Sequence, residues 1–223
     1  MSDGRESDAG RLSRASLAAG DPTGWFERLY AEAQTGDAIV PWDRAAPHPL
    51  LVEWAQERGL DGAGRPALVV GSGPGHDAEY LAGLGFTTTA FDISETAVAA
   101  AQARFPDSRV AYRTADLLDL PAGWDGAFDL VVEIMTVQAL PDPPRATAIE
   151  HLSPLVAPGG TLFAVAAAQH RDGVDEQGPP WPLSRAEIDA FAGDRLTPVA
   201  IEQTALPGQE QAGWWRAELH RPA

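Results

Sequence analysis

The stretch Ala67-Leu68-Val69-Val70-Gly71-Ser72-Gly73-Pro74-Gly75-His76-Asp77 constrains this chain more than any other. An apolar run of strand character breaks into three alternating glycines, and a helical pattern starts at His76. Twenty-one positions after Gly71, Asp92 closes a second strand-like run, Thr87-Thr88-Thr89-Ala90-Phe91. A glycine turn at the end of a first strand lets a ligand approach the backbone. An acid at the end of the second can grip a pair of ribose hydroxyls. The pattern reads as an enzyme that binds a nucleotide-like cofactor.

The glycine spacing narrows the cofactor. A dinucleotide fingerprint, Gly-x-Gly-x-x-Gly, keeps its third glycine for close helix–strand packing beside a pyrophosphate. Counted from Gly71 that glycine falls on His76, so the spacing here is Gly-x-Gly-x-Gly. Such a turn suits an adenosine with a small zwitterionic tail, and S-adenosylmethionine fits. The plain alternative is a tight turn, which the strand–turn–helix–strand–acid context argues against.

Composition excludes several partners. With 32 acidic against 16 basic residues, the formal charge is −16. That field repels phosphates, so nucleic acid and anionic membrane are not expected as partners, and a small-molecule acceptor is. The first residues carry no apolar run of the kind that marks a signal peptide, and no apolar window is long enough to span a bilayer. The chain has no cysteine, hence no disulfide framework, thiolate metal site or cysteine nucleophile. A cytoplasmic enzyme, monomeric or homodimeric, is the expectation. The five histidines and the many acids show no ligand spacing, so no metal is expected.

At 223 residues one domain is expected. Residues 1–22 lack a convincing apolar period and read as a flexible tail ahead of a single domain, 23–223. Within it, 23–60 reads as a helical lid segment, with helices near 24–34 and 48–58, and 61–223 as an α/β core. Strands are expected at 66–70, 86–91, 109–113, 127–132 and 161–167, alternating with helices up to about 84, from Ser94 to about 105, and near 143–156. A Gly/Pro-rich loop covers 171–182 and a helix starts near Ser184. The last strands, about 197–204 and 213–220, are joined too closely to be anything but antiparallel. The fold class is therefore α/β: a doubly wound, seven-stranded sheet, mostly parallel, with a closing antiparallel hairpin.

Three separated stretches carry a family resemblance. Val40-Pro41-Trp42-Asp43 with Pro47-x-Pro49-x-Leu51-Val52 precedes the core. Gly73-Pro74-Gly75-His76-Asp77 and Phe91-Asp92-Ile93-Ser94 lie in it. Gly178-Pro179-Pro180-Trp181-Pro182-Leu183-Ser184 comes late. The chain resembles the class I, Rossmann-like S-adenosylmethionine-dependent methyltransferases, and within them the thiopurine and thiol/halide methyltransferase branch. Two features depart from that pattern. Val69 stands where many class I enzymes have an acid, and the segment after the fourth strand, Glu133 to Leu140, lacks both the thiopurine enzymes' arginine and the halide enzymes' aromatic cluster.

The resemblance implies roles. Gly71, Ser72, Gly73 and Gly75 form the cofactor loop, with Asp77 and His76 shaping it. Asp92, beside Ile93, chelates the ribose hydroxyls, as two charge-assisted hydrogen bonds to one carboxylate allow. Asp116 and Leu117 hold adenine, Asp119 being a close competitor for Asp116. Trp42 and, alternatively to plain core packing, Trp25 close over the cofactor, where an aromatic face stabilises a sulfonium. Glu133 contacts the cofactor's amino group, orients the acceptor or acts as base, unless it is a surface acid. His170 is a candidate base or a solvated loop residue. His48 and His151 look structural. The expected reaction is in-line methyl transfer, leaving S-adenosylhomocysteine, onto a small molecule such as a thiol or thiopurine-like compound. O- or N-methylation of a natural product and cofactor binding without catalysis are the alternatives.

Overall fold

The computed structural model describes residues 7–169, 178–206 and 209–223. Its centre is a seven-stranded sheet in the order β3-β2-β1-β4-β5-β7-β6. The strands are β1 (Pro66–Val70), β2 (Thr87–Asp92), β3 (Ala111–Thr114), β4 (Phe128–Ile134), β5 (Val156–Ala167), β6 (Thr197–Leu206) and β7 (Gln209–His220). The first five are parallel, while β7 runs antiparallel to both β5 and β6. The doubly wound sheet with a closing hairpin is thus the architecture the sequence predicts.

The apolar run of β1 is explained by burial on both faces. Leu68 and Val70 join one core with Leu162, Ala164, Phe191 and Leu196; Ala67 and Val69 join the other with Leu81, Phe163 and Val165. Among the described residues eight helices accompany the sheet: α1 (Asp8–Ala18), α2 (Gly24–Thr35), α3 (Pro49–Glu57), α4 (His76–Gly83), α5 (Glu95–Arg104), α6 (Pro144–Glu150), α7 (Leu152–Leu155) and α8 (Arg185–Ala190). A 3-10 turn, Val137–Ala139, follows β4. Ser94 caps α5 by accepting from Ala97 N–H at 3.0 Å, and Ser184 with Glu187 forms a capping box on α8. Among the described residues no helix is long and apolar enough to cross a membrane.

The structure corrects the reading of the first residues. Residues 8–18, expected to belong to a flexible tail, form α1. Ser7 caps it, accepting from Gly10 N–H at 3.1 Å. Its inner face is Ala9, Leu12, Ser13 and Ser16, a helical spacing carried mostly by small and polar side chains, which hides the period. Ala9 and Leu12 pack with Trp25, Leu29 and Ala38. Two boundaries also move. The single helix expected near 143–156 is divided into α6 and α7 at His151. Pro158-Gly159-Gly160, which falls between the helix expected near 143–156 and the strand expected at 161–167, lies inside a longer β5.

The strand order reverses between β1 and β4. In such sheets the crevice at the carboxyl ends of these two strands is where ligands collect. Gly71 leaves β1 there and Met135 leaves β4.

Candidate functional site

The crevice holds an open cleft of about 1030 Å³, counted out to its mouth. Its floor is the glycine loop. Gly71 has φ +59°, and a Cβ there would lie 2.2 Å from Thr136 Oγ1. Gly73 has φ +46°, and a Cβ there would lie 2.7 Å from the Tyr30 hydroxyl. Both positions need glycine twice over, for the left-handed backbone and for the missing side chain. Between them Ser72 lines the cleft, its Oγ buried and without a partner among the described residues. Gly75, also predicted for the site, has another task. It caps α4 at φ +89° against the Tyr112 hydroxyl and does not line the cleft.

Asp92 sits where the sequence places it. It is 6% exposed and lines the cleft beside Ile93. Oδ2 accepts from Gly73 N–H at 2.8 Å and Oδ1 from Ser94 N–H at 3.0 Å. Burial raises this carboxyl to about 6, against the pull of the N–H groups of Ser94, Gly73 and Ile93. Further along, Ala115, Asp116, Leu117 and Leu118 form the wall after β3. Asp116 Oδ1 accepts from Leu118 N–H at 2.8 Å, which turns the backbone there. Asp119 bridges to Asp116 and is not part of the wall.

The lid segment closes one side with Thr23, Phe26, Tyr30 and Trp42. Trp42 Nε1 donates to the Tyr30 hydroxyl at 2.7 Å. Trp25 is fully buried behind them, 3.9 Å from the Phe26 ring centroid, and does not reach the cleft. Of its two readings, core packing is the one the structure supports. Ionic and polar contacts fasten this lid to α5. Glu27 accepts from Ser94 Oγ at 2.7 Å and from the Thr96 hydroxyl, and Arg104 pairs with Asp43 at 2.9 Å. Tyr30, Phe26 and Thr23 are site residues the sequence reading missed. The signal for Tyr30 is its place one helical turn after Phe26.

Asp77 ties lid to loop, Oδ1 accepting from the His48 N–H at 2.7 Å, and burial raises its carboxyl to about 6. His76 lines the cleft between Arg104, at 2.9 Å, and Asp43, at 3.7 Å.

Glu133 is placed differently from every expectation. It is fully buried, neither a surface acid nor a lining residue of the cleft. Oε1 accepts from Thr136 N–H at 2.8 Å and from Val137 N–H at 3.0 Å, and Oε2 has no partner among the described residues. Burial pushes its carboxyl up to about 7. Its role is to hold the turn that carries Met135, at φ +63°, and Thr136 into the cleft wall. The other candidate base, His170, lies outside the described residues. Among the described residues no three His, Cys, Asp or Glu side chains are grouped to hold a metal ion.

Comparison with known proteins matches residues 67–160 to the family described as methyltransferase domain. A ubiquinone biosynthesis O-methyltransferase of Thiobacillus denitrificans is 35% identical over 118 residues, which is 52% of this chain and 50% of that protein. One from Azotobacter vinelandii is 34% identical over 131 residues, 55% of each. The chain thus spans about half the length of these curated relatives. Among solved structures, the N-methyltransferase NodS of Bradyrhizobium japonicum in complex with S-adenosylhomocysteine covers 88% of this chain and 100% of its own, at TM-score 0.65 and 21% identity. The 1,6-didemethyltoxoflavin-N1-methyltransferase of Burkholderia thailandensis covers 99% and 93%, at TM-score 0.67 and 18% identity. These likenesses establish the Rossmann-like methyltransferase fold. They lend no support to the narrower thiopurine and thiol/halide resemblance.

Proposed function

We propose that this chain, which carries a class I S-adenosylmethionine-dependent methyltransferase domain over residues 67–160, methylates a hydroxyl group of a small molecule. The observation that carries the reading is the junction of Gly73 with Asp92. One carboxylate both anchors the glycine loop and faces the cleft where a ribose would lie. The residues present fit the cofactor. Asp92 would take the ribose hydroxyls, the turn at Asp116–Leu118 the adenine edge, and the orphaned Ser72 hydroxyl a polar atom of the amino-acid tail. Bound there, S-adenosylmethionine supplies an electrophilic methyl group with a neutral leaving group.

The protein's work is then orientation, exclusion of water and removal of one proton. Alignment of a nucleophile is worth up to about 7–11 kcal/mol of barrier. Phe26, Tyr30 and Trp42 cover the cleft against water. A hydroxyl acceptor also needs a base. His48 accepts on its Nδ1, and His76 is held between Arg104 and Asp43. Asp77 has Oδ2 free of hydrogen bonds among the described residues and is the base this reading assigns. The oxygen preference is supported by the names of the matched relatives. A sulfur acceptor has one observation in its favour, the apolar wall of Ile134, Met135, Ala139 and Leu140, which carries no base.

The test is methyl transfer from labelled S-adenosylmethionine to matched catechol and arylthiol acceptors. Labelled aryl ether with little thioether supports hydroxyl methylation. Thioether alone would replace it with the sulfur reading, and no transfer to any acceptor by protein that binds S-adenosylhomocysteine would remove the catalytic reading.

A further inference from the structure

The cleft follows the carboxyl edge of the sheet in strand order. Asp116 comes after β3, Asp92 ends β2, Gly71 leaves β1 and Met135 leaves β4. Past β5 the next strand is β7, where Trp214 stands opposite Ala167, the last residue of β5. Around Trp214 the structure gathers polar hydrogens with nothing to accept them. Trp214 Nε1 is buried without a partner among the described residues. The His48 ring packs edge-on against this indole, centroids 5.7 Å apart, and lines the cleft.

His48 is 4% exposed. Its Nδ1 accepts from Leu50 N–H at 3.3 Å, so the neutral ring carries its proton on Nε2. That atom is also buried without a partner among the described residues. Burial, helped by Arg44, pushes the imidazole down to about 4 and keeps it neutral. The Arg44 guanidinium lies 5.9 Å from the Trp214 ring centroid, at the rim of the cleft. The acid facing this group is Asp77, which takes the backbone N–H of His48 and leaves the ring free. Asp77 forms no ion pair with Arg44 among the described residues. In a chain of charge −16, a cation left in this state at a cleft mouth is the local field an anionic ligand requires.

We propose that Arg44 and His48, backed by Trp214, bind a carboxylate of the methyl acceptor, which is therefore a hydroxy acid lying with its hydroxyl toward β1 and β4 and its carboxylate toward β7. This rests on the hydroxyl-methylation reading above. The guanidinium of Arg44 and the Nε2–H of His48 are donors that suit a carboxylate, which only accepts, and the guanidinium strengthens those bonds. The rival occupant is the carboxylate of the cofactor's own tail, which the proposed function assigns to the loop at Ser72.

The experiment is calorimetric titration of the full chain, loaded with S-adenosylhomocysteine, with 3,4-dihydroxybenzoate and with its methyl ester. The acid is expected to bind at least about tenfold tighter than the ester. Arg44→Ala and His48→Asn should each shrink that gap to less than about threefold while S-adenosylhomocysteine binding holds. Asn keeps an acceptor for Leu50 N–H and removes the Nε2 donor, and His48→Gln, which restores a donor further out, should recover part of the preference. Equal affinity for acid and ester, binding of neither, or a loss of S-adenosylhomocysteine affinity in Arg44→Ala would each overturn the proposal. Methylation of the ester without preference for the acid would sink this inference and leave hydroxyl methylation standing. Tight binding of the acid that needs Arg44 and His48, without its methylation, would overturn hydroxyl methylation and the identity of the acceptor with it, leaving only carboxylate binding at these two residues.

Discussion

The carboxylate of Asp92 reaches back to the Gly73 N–H at 2.8 Å, so the end of β2 holds the loop that leaves β1. Loss of this side chain removes a loop anchor and, on the proposed function, a ribose partner together. Asp92→Ala is expected to weaken S-adenosylhomocysteine binding by more than about 100-fold, as loss of two charge-assisted bonds would. Asp92→Asn, which keeps an acceptor for Gly73, should lose less. Titration calorimetry on folded samples distinguishes the two; equal losses would mean the loop contact is irrelevant to binding.

Gly71 combines φ +59° with a Cβ position 2.2 Å from Thr136 Oγ1. Gly71→Ala should destabilise the fold by roughly 1–3 kcal/mol through backbone strain and overpacking, and abolish cofactor binding. Thermal unfolding and calorimetry check it. An alanine variant with unchanged melting temperature would contradict the packing described.

Glu133 has a carboxyl raised from 4.5 to about 7 by burial. A raised acid stabilises the fold fully below its unfolded value, and this contribution is lost as pH rises from about 4.5 to about 7. Glu133→Gln retains an acceptor for Thr136 and Val137 N–H and has no charge to bury. It should therefore be more stable than the parent at pH 8, by up to roughly 3 kcal/mol, with the difference vanishing near pH 4. Chemical unfolding at the two pH values measures it, and a gain only at low pH would reverse the sign and refute the argument.

Asp77, as the assigned base, works only when deprotonated. Its carboxyl is raised to about 6, so kcat/KM for a hydroxyl acceptor should rise with pH through about 6 and then level. Asp77→Asn should lower kcat by about 100-fold or more and remove that inflection. An unchanged profile would return the proton to another group.

Trp42 reaches over Gly73 and is fixed by its bond to Tyr30. Trp42→Ala should raise the dissociation rate of S-adenosylhomocysteine about tenfold or more, seen in stopped-flow fluorescence, while Trp25→Phe should chiefly lower the melting temperature. If Trp25→Phe instead speeds dissociation as much, the division between lid and core is wrong.

The core of the fold was legible because β1, β2 and their connection announce themselves by composition. Val69-Val70 running into glycines and Thr-rich β2 ending in Asp92 leave few alternatives. The residues missed were those whose role depends on what lies across from them. Glu133 follows a strand end in sequence as a ligand-facing acid would, but its side chain turns inward to the N–H groups of its own following turn. Tyr30 and Trp25 share a helical spacing, and nothing local says that one faces the cleft and the other the core. His48 was read as structural. Its Nδ1 justifies that, and only the placement of Trp214 beside it, 166 positions later, exposes the orphaned Nε2.

Asp92 and Asp116, proposed to hold adenosine, fall with Gly73 within one uninterrupted stretch of chain, whereas Arg44, His48 and Trp214 come from either side of it. The two ends of the cleft are therefore separable inheritances. Replacing Arg44, His48 and the final hairpin around residues 67–160, with Tyr30 and Trp42 kept over Gly73, should exchange what is methylated without disturbing what donates the methyl group.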